Sequence, residues 1–311
     1  MSRSSAERPL LRVAFFGMRC AFSVPPLSAL IGAGHQIAAV LLPGPPFGPP
    51  ILPKQATLTL PLLGARQAGE DIEAEAARAG AAVLNVSDLR HPQAIAALVD
   101  LEPDLIATAC FPALLPPEVL QLPSLGCLNV HPSLLPRGRG PEPLFWTFRR
   151  GELETGVTIH LMDKHFDAGP VVLQETITVP PGIRLPEFER QLAELGGTLL
   201  VQAIAALAAG HARPVPQDDS QATSAPIPGP ADYEVPTNLP ATWAYNFARA
   251  VAAISDQLRV VVMETKEQIR VADAVAVEEG STLATPYLIA EDHIDVRFRP
   301  GSVTFVLPSS S

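Results

Sequence analysis

Asn129, His131 and Asp167 are the residues whose types and spacing point most directly to chemistry. The first two stand in Leu128-Asn129-Val130-His131-Pro132-Ser133-Leu134-Leu135-Pro136-Arg137-Gly138-Arg139-Gly140. In an extended chain alternate residues share a face, so the amide and the imidazole project together while Leu128 and Val130 enter the core. An amide donor beside an imidazole suits an oxyanion that develops at a carbonyl, and one such donor is worth about 10² to 10³ in rate. Asp167 stands in a turn before Ala168-Gly169-Pro170, between two β-like runs, where its carboxylate can be held against another strand's imidazole. A carboxylate within about 4 to 6 Å raises a histidine's pKa, so an imidazolium able to donate to the oxyanion is expected. Taken alone, Asn-x-His on a strand is usually a structural hydrogen-bonding pair. The loop after it and Asp167 favour the catalytic reading.

The positioning elements follow from pattern. Roughly the first two hundred residues alternate short apolar runs with helical patterns, the habit of a mostly parallel, Rossmann-like α/β sheet with helices on both faces. Strands are predicted at 11–17, 36–42, 104–110 and 127–131, and further β-like runs at 156–162 and 170–179 end the sheet. Ser23 ahead of Pro25 and Pro26 reads as a helix N-cap, with Gly32 and Gly34 closing that helix. Leu185, Phe188, Leu192, Leu195, Leu199 and Leu207 fall near one face of a long helix from Pro186. Residues 1–210 are therefore expected to form the catalytic domain. Residues 211–240, rich in Pro, Ser, Asp and Thr and without a period, read as a surface linker. Residues 241–311 complete the chain as a small, shortened, barrel-like β-rich domain: a helix carrying Trp243, Phe247 and Val251, then strands at 258–263, 268–275, 293–298 and 302–307.

Bulk properties exclude several classes. Three cysteines, an odd number set in apolar runs, suit reduced buried thiols and a cytoplasmic protein. No apolar run approaches the ~20 residues that span a bilayer, and residues 1–9 carry no leader pattern, so neither membrane nor secretion is expected. A net charge of -10 removes general attraction to nucleic acid. His35, His160 and His165 lack metal-ligand spacing and read as surface or packing residues. Gly17 alone is no dinucleotide fingerprint. Cys127, Phe145 and Trp146 read as packing groups.

The Asn129–Pro136 run followed by Asp167-Ala168-Gly169 resembles the signature of the folate-dependent formyltransferases, most closely the branch acting on methionyl-tRNA. Phe15-Phe16-Gly17, Glu154-Thr155-Gly156-Val157-Thr158 and Pro216-Gln217-Asp218 support the likeness, which runs from Leu11 to about Ala250. The resemblance implies formyl transfer from 10-formyltetrahydrofolate, a cosubstrate, to a primary amine, with no metal. Asn129 and His131 would stabilise the tetrahedral intermediate, and Asp167 would tune His131 and help move the proton. Ser133, Leu134, Leu135 and Pro136 would line the folate site together with Asp167, and Phe111 would wall the pteridine pocket.

The acceptor implied is initiator methionyl-tRNA. Against it, the 43–54 loop has one lysine and no arginine where the tRNA-modifying relatives are basic, and residues 211–311 hold seven Lys/Arg against thirteen Asp/Glu. The alternatives are a small amine such as an amino sugar nucleotide, hydrolysis of the formyl folate, or a folate-binding protein without catalysis. Oligomeric state is not legible.

Overall fold

The computed structural model describes residues 10–45, 50–53, 71–280 and 283–308. Along the chain run β1 (Arg12–Phe16), α1 (Val24–Gly32), β2 (Gln36–Pro43), β3 (Ile51–Pro53), α2 (Ile72–Arg78), β4 (Ala82–Val86), α3 (Pro92–Asp100), β5 (Leu105–Ala109), α4 (Pro117–Leu120), β6 (Cys127–His131) and α5 (Pro143–Arg150). There follow β7 (Glu154–Leu161), β8 (Val171–Thr178), α6 (Leu185–Ala208), β9 (Glu234–Pro236), α7 (Ala241–Ala252), β10 (Arg259–Val261), β11 (Gln268–Arg270), β12 (Asp273–Glu278), β13 (Tyr287–Ile289), β14 (His293–Arg297) and β15 (Ser302–Val306). Two compact units result. The first holds the described residues up to Gly140, with 156–176 and 189–224; the second holds 141–155, 177–188 and the described residues from Ala225 onward.

The first unit is built on an eight-stranded sheet in the order β3-β4-β2-β1-β5-β6-β7-β8. β4, β2, β1, β5 and β6 are parallel, while β3 and β7 join antiparallel to β4 and β6. This is the expected mostly parallel sheet. Strand order reverses beside β1, and open α/β sheets take their ligands at such a switch, beyond the strand carboxyl ends.

Helices cover both faces. Ala14, Phe16, Leu41, Ile106 and Cys127 pack with Ala94 and Leu98 of α3 and Val119 of α4. On the other face Val130 meets α6, where two glycines permit close approach: a Cβ at Gly196 would lie 2.6 Å from Val130 Cγ1, and one at Gly197 2.9 Å from the Pro25 carbonyl oxygen of α1. α6 thus presses on the residue between Asn129 and His131, whose side chains take the opposite face of β6. The shared face of Asn129 and His131 is borne out.

Several local expectations need correction. Ser23 precedes α1 but makes no side-chain cap bond. Its buried hydroxyl accepts from the Met18 N–H at 2.9 Å and donates to the Ala109 carbonyl at 2.8 Å, tying the loop after β1 to β5. The 268–275 run is two strands, β11 and β12, in different sheets. α6 is long and apolar enough to cross a bilayer; its interspersed Glu, Arg and Gln hid this from a search for continuous apolar runs. Its Leu192, Leu199 and Ala203 are buried within the protein, as in a core helix.

The second unit contains a three-stranded sheet, β11-β10-β9, and a four-stranded antiparallel sheet, β12-β15-β14-β13. Phe145 packs edge-on to Trp146 and Phe247, and Trp243 stacks on Phe247 with centroids 5.4 Å apart. Phe145 and Trp146, expected to pack a helix against the sheet, instead join this aromatic cluster between α5 and α7. None of the three cysteines forms a disulfide.

Gly196→Ala is expected to destabilise the protein by about 1 to 3 kcal/mol, because the methyl must displace Val130 in a filled core. Gly32→Ala, which meets nothing within 4 Å, should not. Denaturant unfolding of both variants tests this, and equal effects would remove the packing explanation.

Candidate active site

Strand register assembles the first half of the site. Thr108 pairs with Asn129 across β5 and β6, and Asn129 with His160 across β6 and β7, so the three side chains stand abreast. The Thr108 hydroxyl donates to Asn129 Oδ1 at 2.6 Å. Asn129 Nδ2 lies 3.1 Å from His160 Nε2 and donates to Asp167 Oδ1 at 3.4 Å. His160 Nδ1 sits 3.0 Å from the Leu161 carbonyl, which only accepts. Nδ1 therefore carries the proton, and Nε2 accepts from Asn129.

The turn supplies the second half. Asp167 adopts φ +52°, a left-handed conformation that aspartate tolerates better than most residues. Gly169 is required beside it, since a Cβ there would fall 1.8 Å from the Leu161 carbonyl oxygen. The Gly140 N–H donates to Asp167 Oδ2 at 2.9 Å. Gln217 Nε2 donates to the carbonyls of Asp167 and Gly169 at 2.9 and 2.7 Å, while its Oε1 accepts from Arg139 at 3.1 and 2.8 Å. The Gly138 N–H donates to Thr223 Oγ1 at 2.9 Å. Residues 211–224 therefore fasten the turn to the loop after β6.

His131 lies between these parts. Its Nε2 is 2.9 Å from the Gly138 carbonyl and must donate, which leaves Nδ1 facing Asp167 Oδ1 at 3.6 Å. Burial lowers the His131 pKa below its usual value and outweighs Asp167 and the Gly138 carbonyl, which act to raise it. The expected imidazolium is thus corrected to a neutral ring with a free lone pair on Nδ1. The distance agrees, being longer than the 2.7 to 2.9 Å of a charge-assisted bond. Burial alone would raise the Asp167 pKa; His131, His160 and the Gly140 N–H together hold it at about 2. At neutral pH the site holds one carboxylate anion beside the neutral His131 ring, and Asp167 Oδ1 is the common neighbour of both histidines, 3.6 Å from His131 and 3.7 Å from His160.

An open cleft adjoins this network, lined by Thr108, Phe111, Asn129, His160, Met162 and Asp167 among others. Phe111 sits edge-on to Phe16, with centroids 5.1 Å apart. Of the predicted residues, the structure brings Asn129, His131 and Asp167 together and places Phe111 on the cleft. Ser133 and Leu135 have internal duties: Ser133 Oγ donates to the Arg137 carbonyl at 2.7 Å, and the Leu135 N–H donates to Thr158 Oγ1 at 3.2 Å. Leu134 and Pro136 are half-buried.

Sequence reasoning took His160 for a surface or packing histidine; it is buried but bonded to Asn129. Alternation along the run leading to Asp167 could have found it. Thr108 and Gln217 were missed as site residues because their roles depend on register and on a loop without period. Of the 43–54 loop, residues 46–49 and 54 fall outside the described residues, while Pro43 ends β2 and 51–53 form β3.

A formyl transferase family profile matches residues 63–204. The methionyl-tRNA formyltransferase of Moorella thermoacetica (strain ATCC 39073 / JCM 9320) is 36% identical over 242 residues, 78% of this chain and 73% of that protein. That of Synechococcus sp. (strain JA-3-3Ab) is 43% identical over 161 residues, 52% of this chain and 50% of that protein. Among solved structures, an N-formyltransferase from Helicobacter canadensis in complex with folinic acid and dTDP-3-aminofucose superposes with a TM-score of 0.66 at 12% identity, over 96% of this chain and 99% of that chain. This last likeness is one of fold. The chain belongs to the formyl transferase family.

The depressed Asp167 pKa makes a stability prediction. A carboxyl at 3.8 when unfolded and about 2 when folded contributes roughly 2 kcal/mol that is fully present above the unfolded value and is lost as pH falls through the folded one. The stability gap between wild type and Asp167→Asn is therefore expected to narrow by about 1 kcal/mol between pH 6 and pH 3. A gap independent of pH in urea unfolding would show that the carboxylate is not held by these partners.

Proposed function

We propose that this chain transfers the formyl group of 10-formyltetrahydrofolate to the amino group of initiator methionyl-tRNA, in the cytoplasm. The convergence of Asn129, His131 and Asp167 beside a cleft walled by Phe111 and Met162 carries the proposal. The matching methionyl-tRNA formyltransferases support the acceptor. Aromatic and thioether walls suit a flat heterocycle; Ser133, Leu134, Leu135 and Pro136, expected to line the folate site, are not among the residues that line this cleft.

The folate supplies an activated formyl carbon. The chain's own groups then divide the work. Asn129 Nδ2 holds one N–H on His160, and its second, long bond to Asp167 at 3.4 Å is the one a developing oxyanion can take over. His131, neutral, offers Nδ1 to accept the proton that the amine loses on attack and to return it to the departing nitrogen. Asp167 stabilises the imidazolium during that interval.

A small amine acceptor is the second reading. It is favoured by the net charge of -10 and by the acidic balance of residues 211–311, since neutralising tRNA phosphates takes Lys and Arg.

Purified protein is to be given 10-formyltetrahydrofolate with initiator methionyl-tRNA, with amino sugar nucleotides, and with no acceptor. Formylated methionyl-tRNA, with affinity falling steeply as salt rises, is the expected result. Transfer confined to small amines supports the second reading, and consumption without transfer supports hydrolysis. Asn129→Ala is expected to cut turnover by about 10² to 10³ with the fold intact; near-normal turnover would remove its role.

A further inference from the structure

His160 is 1% exposed, and neither of its ring nitrogens is spent on packing. Nδ1–H is committed to the Leu161 carbonyl, and Nε2 faces the Asn129 amide. The amide has two possible orientations. In the observed one, Oδ1 accepts from Thr108 and Nδ2 faces His160 and Asp167. Turned over, its oxygen would confront the lone pair of Nε2 and the carboxylate of Asp167, three acceptors with no proton among them. Asp167 cannot maintain the orientation throughout a reaction, because an oxyanion that takes the second N–H displaces its bond. Nε2 of His160 does not face that exchange.

We propose that His160 is a positioning residue for formyl transfer: by accepting one amide proton of Asn129, it aims the other at the oxygen that gains charge. This rests on the formyl-transfer reading, and it assigns a function to a residue that would otherwise count as a buried strand histidine. The role needs the Nδ1–H tautomer, which Leu161 enforces through its carbonyl.

Three variants test it. His160→Phe keeps the ring volume and removes the acceptor. His160→Gln returns an acceptor oxygen near the place of Nε2. His160→Phe combined with Asn129→Ala closes a double-mutant cycle. His160→Phe is expected to lower kcat by roughly 10- to 100-fold, a part of the 10² to 10³ of a whole donor, with KM for the folate within about threefold. His160→Gln should recover most of the loss, and the double variant should be no slower than Asn129→Ala alone. Additive losses in the cycle, or a raised KM with kcat unchanged, would overturn the proposal.

Hydrogen exchange of the Asn129 side-chain amide, followed by NMR, reads the same bond without turnover. One proton should be protected in wild type and in His160→Gln and exposed in His160→Phe; equal protection in all three overturns the proposal. Wild-type protein that forms no formyl product with any acceptor defeats the formyl-transfer reading instead. The amide measurement then still decides whether His160 holds Asn129.

Discussion

The site depends on one constrained carboxylate. Asp167 lies in a left-handed turn that closes only because Gly169 lets the backbone approach Leu161 at a distance no side chain permits. Gln217 then bonds the carbonyls of Asp167 and Gly169, and the Gly140 N–H takes Oδ2. These contacts are local, but they bring together chain from β6, from the turn before β8 and from residues 211–224. Without them Asp167 has no fixed relation to Asn129 or His131. The Gly140 N–H and the Asn129 amide both donate to this carboxylate, and such bonds favour its ionised form in a poorly hydrated place.

The imidazoles take different parts around it. His131 is protonated at Nε2 by its bond to the Gly138 carbonyl, and His160 at Nδ1 by its bond to the Leu161 carbonyl, so each turns a lone pair inward. Asn129 fills one lone pair, and the other faces Asp167 without a proton between them. In the proposed reaction that unfilled position receives the proton released by the attacking amine. An imidazolium formed there is favoured by the adjacent carboxylate and opposed by burial, and burial is the larger effect.

Much of this was legible in the residues. β6 spans the predicted 127–131, and alternation along it placed Asn129 and His131 on the face opposite Val130. The turn before Ala168-Gly169-Pro170, set between two β-like runs, pointed to Asp167, and Gly169 is sterically required there. What could not be read depends on distance in sequence. The protonation of His131 was misjudged because a neighbouring carboxylate is visible in a sequence whereas burial is not. His160 becomes a partner of Asn129 only through the β6–β7 register. Ser23 resembled a helix cap, yet its hydroxyl serves the Ala109 carbonyl, 86 residues away. Gln217 lies in a segment with no period, so nothing local marked it as the tie between two loops.

The measurement that bears most directly on this account is nitrogen-resolved NMR of histidine-labelled protein. At pH 7, His131 is expected to be neutral with its proton on Nε2, and to gain the second proton on Nδ1 only below the usual value of 6.5. An imidazolium persisting at His131 above pH 7 would contradict it, since the ring would then be a resident cation paired with Asp167 and not a base waiting for the amine's proton.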